Sequence, residues 1–171
     1  MPSKKEILEY TKQNEFVYPK EKVILGFTLL GGMVGGFIFG LGIMLVFIIG
    51  DIINNKNILT VNSFVELLLS LLSFSLVGLF VGGIPALITG IYLAMTEFII
   101  INKKDYLSLL LTGGIITIFI CLILIFLKTA NEASLDFGVN LILLILFFIG
   151  GLSAMICGKL FLPKLPKDFE Q

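Results

Sequence analysis

The sequence contains no histidine, no tryptophan and no arginine; its twelve basic residues are all lysines, and it has only two cysteines. Each absence removes a class of chemistry. Without histidine or a cysteine cluster there is no ligand set for zinc and no Ser-His pair for nucleophilic hydrolysis. Without arginine there is no bidentate clamp for phosphate. Charge is scarce as well: 14% of residues are charged, and twelve acids balance the twelve lysines. A net charge of zero leaves no basic surface to displace the counterions of nucleic acid, which is therefore not an expected partner.

What fills the 171 residues instead is hydrocarbon. The chain is 57% hydrophobic and its mean hydropathy is +1.08, far above that of a soluble domain. Four windows carry no charged residue at all, 23–50, 67–96, 106–127 and 137–158, and each is longer than the stretch of about 20 residues that crosses a bilayer. The expected fold class is all-α: a polytopic membrane protein with four transmembrane helices. A cleaved secretory signal does not fit, because the first apolar stretch follows a charged segment, outruns the usual h-region and has no A-x-A-like site. Cys121 and Cys157 both fall inside apolar windows. They lie at different depths, which precludes a bridge between them, and read as small buried packing residues.

Residues 1–22 are expected to form a cytoplasmic N-terminal segment, with Ser3-Lys4-Lys5-Glu6 in capping-box form ahead of a short interfacial helix. A four-helix membrane domain follows over 23–162, with spans at about 20–50, 64–98, 106–127 and 137–162, and 163–171 is a cytoplasmic tail. Pro19 suits the first turn of span one. Ser63 and Glu66 repeat the capping-box form before span two, Asp105 and Asp136 are expected N-caps of spans three and four, and Pro163 and Pro166 end the last helix.

The second window would be about 45 Å long as a straight helix, against about 30 Å of hydrocarbon. It either kinks or tilts as one span, or folds back at Gly82-Gly83-Ile84-Pro85. Lysine placement decides between these, because lysines gather on the cytoplasmic side of short loops. Four spans with the N-terminus inside put ten lysines inside and leave only Lys56 and Lys128 outside; a fold-back would divide them six and six. One long span, kinked or tilted, with Glu97 at its cytoplasmic end is the expectation.

The spans also resemble one another. Gly82–Gly90 aligns without gaps on Gly150–Gly158 with five identities, and Leu30-Gly31-Gly32-Met33 pairs with Thr112-Gly113-Gly114-Ile115. Spans one and two then read as a helical hairpin duplicated in spans three and four, the copies related by an axis along the membrane normal. Every span carries small residues four apart: Thr28, Gly32, Gly36 and Gly40; Gly78, Gly82, Ala86 and Gly90; Gly113, Thr117 and Cys121; Gly150, Ala154 and Gly158. Small-xxx-small rows let helix backbones approach closely where lipid supplies no hydrophobic drive. Gly83 and Pro85 join them as the kink.

No span has an ionisable residue near its middle; Glu66, Glu97 and Lys159 stand at helix ends. The chain is therefore not expected to be an enzyme or to need a metal or cofactor. Two classes of function stay open. One is an interaction protein, an accessory subunit or toxin-immunity type, whose partners are the lipid bilayer and a membrane protein or second copy held through the glycine seams. The other is a small transporter or channel that uses the Gly82–Pro85 helix break.

The segment Gly82–Gly90, read as G-x-x-P-A-x-x-T-G in a four-span background, resembles small uncharacterised bacterial inner-membrane proteins. The resemblance implies a bacterial inner-membrane location and no particular activity. A lysine-only basic set rich in Ile and Asn is consistent with an AT-rich bacterial genome.

Overall fold

The computed structural model describes residues 17–53, 61–128 and 137–163. The capping box at Ser3, the Asp136 cap and Pro166 lie outside them. Among the described residues the chain forms five helices: α1 (Lys20–Ile53), α2 (Val61–Val81), α3 (Gly83–Met95), α4 (Lys103–Lys128) and α5 (Phe137–Phe161). Within α1, residues Phe27–Gly31 form a π-helical segment.

α1, α4 and α5 are each long and apolar enough to cross a membrane, and α2 with α3 supplies a fourth crossing when the bent pair is counted as one span. Their surfaces fit that setting. Phe47, Phe80 and Leu127 are 70%, 78% and 76% exposed, an aggregation hazard in water but ordinary lipid contact in a bilayer. This is a polytopic, all-α membrane protein.

The long second apolar window is bent. α2 and α3 meet at Gly82 at an angle of 58°. Pro85 explains the position: it has no N–H to give to the carbonyl of Val81, and its ring crowds that carbonyl, so the ladder opens four residues upstream of the proline. Gly82 N–H still donates to Gly78 O (2.7 Å) and Ala86 N–H to Gly82 O (3.1 Å), which keeps the break to a single residue.

Helix boundaries correct two expected caps. α2 already begins at Val61, so Ser63 lies inside it and is not its N-cap. α4 begins at Lys103, which puts Asp105 in the first turn; its Oδ2 accepts from the N–H groups of Ile101 and Asn102, each at 2.8 Å. The carboxylate thus reaches back from the third helical position to donors outside the helix, the acidic half of a capping box. Pro19 stands just before α1 and Pro163 just beyond α5, as their chemistry suggests.

Two helical hairpins make the bundle. α1 packs along α2 and α4 along α5, and they join through α1 against α5 and α3 against α4, whereas α2 makes no close approach to α4. The best-buried layer lies at the end where α1 starts, here called basal. Val23, Phe27, Leu93, Leu109 and Cys157 are essentially inaccessible there, and Tyr18, Ile99, Ile100 and Leu162 extend the cluster.

The hairpins share a contact register. A Cβ on Gly31 would meet Ala86, and one on Gly113 would meet Ala154; Gly90 faces Phe27 as Gly158 faces Leu109; Gly32 faces Leu79 as Gly114 faces Phe147. These three contacts correspond under the two alignments found in the sequence, whereas Gly151 meets Leu110 and its counterpart Gly83 meets nothing within 4 Å. The hairpins differ where Ser153 aligns with Pro85: with a backbone N–H at that position, α5 runs unbroken.

Candidate functional site

A cavity of about 350 Å³ opens between the hairpins at mid-height, where Thr117 and Ile149 lie near the centres of α4 and α5. Its walls come from all five helices: Gly31, Gly35, Gly36 and Phe39 of α1, Phe74, Val77 and Gly78 of α2, Pro85, Ala86 and Thr89 of α3, Thr117 and Cys121 of α4, and Leu146 to Ala154 of α5. Among the glycines of its wall, Gly35 has room to spare, its nearest neighbour lying 3.7 Å from where a Cβ would stand.

The 58° bend shapes this cavity. Basal to Gly82, α3 contacts α4 and the bundle is closed; beyond Gly82, α2 leads away and does not touch α4. Val77 on α2 and Cys121 on α4 both border the cavity, although their helices make no close approach to each other. Its wall shares Phe27 and Ala154 with the buried basal cluster. At the opposite end Phe39 and Phe74 pack edge to face, with ring centroids 6.1 Å apart.

The lining is apolar, and its hydroxyl donors are already committed. Thr89 Oγ1 donates to Pro85 O at 2.8 Å, Thr117 Oγ1 to Gly113 O at 2.8 Å and Ser153 Oγ to Gly31 O at 2.6 Å. The first two are intrahelical bonds of the i−4 type. The third ties α5 to the end of the π segment of α1, where backbone pairing returns from i+5 to i+4. Apart from the Cys121 thiol, no ionisable side chain lines the cavity.

Sequence reasoning picked out several of these residues for packing, and the structure divides them between two environments. Gly32, Gly36, Gly40 and Gly78 lie on the α1–α2 contact: a Cβ on Gly32 would sit 2.7 Å from Gly78 O, and one on Gly40 would sit 2.8 Å from Phe74 Cβ. Gly90 meets Phe27 and Ile24, Gly150 meets Thr117 and Gly113, and Gly158 meets Leu109. Gly36, Gly78, Gly82, Pro85, Ala86, Gly150 and Ala154 also border the cavity. Gly83 stands apart, since a Cβ there would meet nothing within 4 Å. Among the described glycines none has positive φ, so backbone freedom is not what requires glycine at these positions; close approach is.

Sequence reasoning missed a basal latch that joins the entry to α1, the α3–α4 connection and the end of α5. Tyr18 Oη donates to Phe98 O at 3.0 Å, Lys20 Nζ pairs with Glu97 at 3.1 Å, and Ile100 N–H donates to Pro163 O at 3.2 Å. Glu97 ends α3 in the left-handed region, φ 46°. Phe98 N–H to Leu93 O and Glu97 N–H to Ala94 O complete a Schellman motif around it, a position usually held by glycine. Burial, with the Glu97 charge as a smaller contribution, pushes the Tyr18 hydroxyl up to about 12. The glycine usual at such a helix end would have been a signal for this motif, but the sequence has glutamate there. No protein-family model, curated protein or solved structure matches the chain.

Proposed function

We propose that this chain is a non-enzymatic interaction protein of the bacterial inner membrane, of the accessory-subunit or toxin-immunity type, which engages an apolar partner within the bilayer through the cleft between its hairpins. Lysine placement supports four crossings with both termini cytoplasmic, which makes the basal latch the cytoplasmic face. The glycine rows act as packing seams that hold each hairpin together.

The observation that carries this reading is the floor of the cleft. A solute path must continue from one membrane face to the other, yet on the basal side the cavity wall meets Phe27, which is 1% exposed and packed in the buried cluster with Val23, Leu93, Leu109 and Cys157. Its hydroxyls already bond to backbone carbonyls, and desolvating a polar solute without replacement hydrogen bonds costs several kcal/mol, roughly 2–7. The helix break at Gly82 is the one feature that favours a transporter. It leads into an apolar chamber and not to a polar pathway.

The test pairs two measurements. Liposomes containing the purified protein are loaded in turn with monovalent cations, anions, amino acids and sugars, and no leak above protein-free liposomes is expected. Cross-linking in native membranes from a photoreactive residue at Val77 is expected to capture a discrete partner. Solute flux that disappears in Pro85→Ala would overturn the reading in favour of transport.

A further inference from the structure

We infer that the cleft is a binding site for one acyl chain of a bilayer phospholipid, which enters sideways between α2 and α4. This goes beyond the interaction reading above: a protein partner meets the cleft at exposed Val77, while the space inside the cleft takes lipid.

Size favours a single hydrocarbon chain. An enclosed apolar cavity of about 150 Å³ holds benzene, which is about 25 Å³ per carbon. On that scale the cavity of about 350 Å³ accommodates roughly 14 carbons, most of one acyl chain. A transmembrane helix does not fit: with a diameter of about 10 Å and a pitch of 5.4 Å, each turn occupies about 420 Å³, and a helix must continue for several turns. A second copy of this chain would have to insert such a helix and meets the same limit.

Position and chemistry agree with size. The opening lies at mid-height and faces sideways, because the bend at Gly82 carries α2 away from α4. That is the depth at which the distal parts of acyl chains lie, whereas a ligand arriving from water on the basal side would have to pass the buried basal layer. Hydrocarbon also demands nothing that the lining lacks. The hydroxyls of Thr89, Thr117 and Ser153 are committed to carbonyls, so a chain slides past glycine faces and aromatic edges without leaving a polar group unpaired.

The full-length protein is reconstituted into liposomes with a phosphatidylglycerol that carries a diazirine halfway along one acyl chain. After irradiation the labelled residues are mapped by mass spectrometry. Labelling is expected at Leu146 and Ile149, which line the cleft, as well as at lipid-facing Phe119. The double variant Val77→Phe, Cys121→Phe narrows the mouth from both sides and should abolish labelling at Ile149 while leaving Phe119 unchanged. Val46→Phe, on the lipid-facing surface of α1, should change neither.

Labelling confined to Phe119 and other lipid-facing positions in the wild-type protein overturns the inference, and so does labelling at Ile149 that survives the double variant. Attachment of Ile149 to a second polypeptide, or to an added diazirine fatty acid in preference to the phospholipid, overturns it in favour of that occupant. The wild-type map alone is decisive if the double variant fails to fold. An acyl-chain failure with no solute flux leaves the interaction reading standing, whereas solute flux removes both.

Discussion

Substituting alanine for Gly78 isolates what the glycine contact contributes. A Cβ on Gly78 would lie 2.6 Å from Gly32 O and 2.7 Å from Gly36 N, and would also run into Gly36 Cα. All three are backbone atoms, so no rotamer change makes room and α1 must move away from α2. Overpacking of a close contact costs about 1–3 kcal/mol, while exchanging a helical glycine for alanine returns about 1 kcal/mol of helix propensity. The net expectation for Gly78→Ala is a loss of about 0–2 kcal/mol. Gly83→Ala and Gly42→Ala provide the control, because a Cβ at either position meets nothing within 4 Å; they should be neutral or stabilising by up to about 1 kcal/mol. Unfolding in mixed micelles of rising dodecyl sulfate content, followed by circular dichroism, compares the three. If Gly78→Ala unfolds at the same dodecyl sulfate fraction as Gly83→Ala, close backbone approach is not what the seam contributes.

Three further perturbations probe the break and the latch. Pro85→Ala restores a donor for Val81 O and should straighten α2 on α3, which shortens the distance between spin labels at Leu72 and Leu124 and narrows the cleft; an unchanged distance would show that the bend has another cause. Tyr18 holds its proton up to about 12 in the folded protein against 10.0 ordinarily, so the stability it adds is complete below pH 10 and is lost as pH rises from 10 to about 12. Unfolding curves of wild type and Tyr18→Phe should therefore differ by a roughly constant amount of about 1 kcal/mol below pH 10, from the lost hydrogen bond to Phe98, and converge above it; parallel curves throughout would rule the linkage out. Glu97→Gly removes a left-handed non-glycine residue, which relieves about 1 kcal/mol or more, and gives up an exposed ion pair with Lys20 worth at most about 1 kcal/mol. The variant should melt at the same temperature as wild type or a few degrees higher, and a clear drop would mean that the pair with Lys20 outweighs the backbone.

Much of this architecture was legible because its causes are local. Uninterrupted apolar windows set α1, α4 and α5 to within a few residues, since a helix in lipid must satisfy its backbone internally. The break between α2 and α3 was readable from Pro85 combined with the excess length of the second window. The register between the hairpins followed from two short alignments, because glycine at a close contact leaves a spacing in the sequence. Helix starts were less legible. Ser63 and Asp105 both resemble caps, yet a capping side chain works from more than one position relative to the first turn, and sequence alone does not say which one is used.

The latch and the cleft were not legible. Tyr18 and Phe98 are 80 residues apart, and nothing in either local sequence refers to the other. The glycines show the same limit in another form. A small residue every fourth position marks where a helix lacks bulk, but not what occupies the space. At Gly78 another backbone fills it, whereas a Cβ on Gly35, in the cavity wall, would meet nothing closer than 3.7 Å. By itself the sequence determined a polytopic helical membrane protein, the course of its spans and the rows that let helices approach, because hydrophobicity, proline chemistry and residue spacing act along a single chain. Only the tertiary structure decided which residues of those rows close on a neighbour and which border the cavity, because that depends on the angle between helices brought together from distant parts of the sequence.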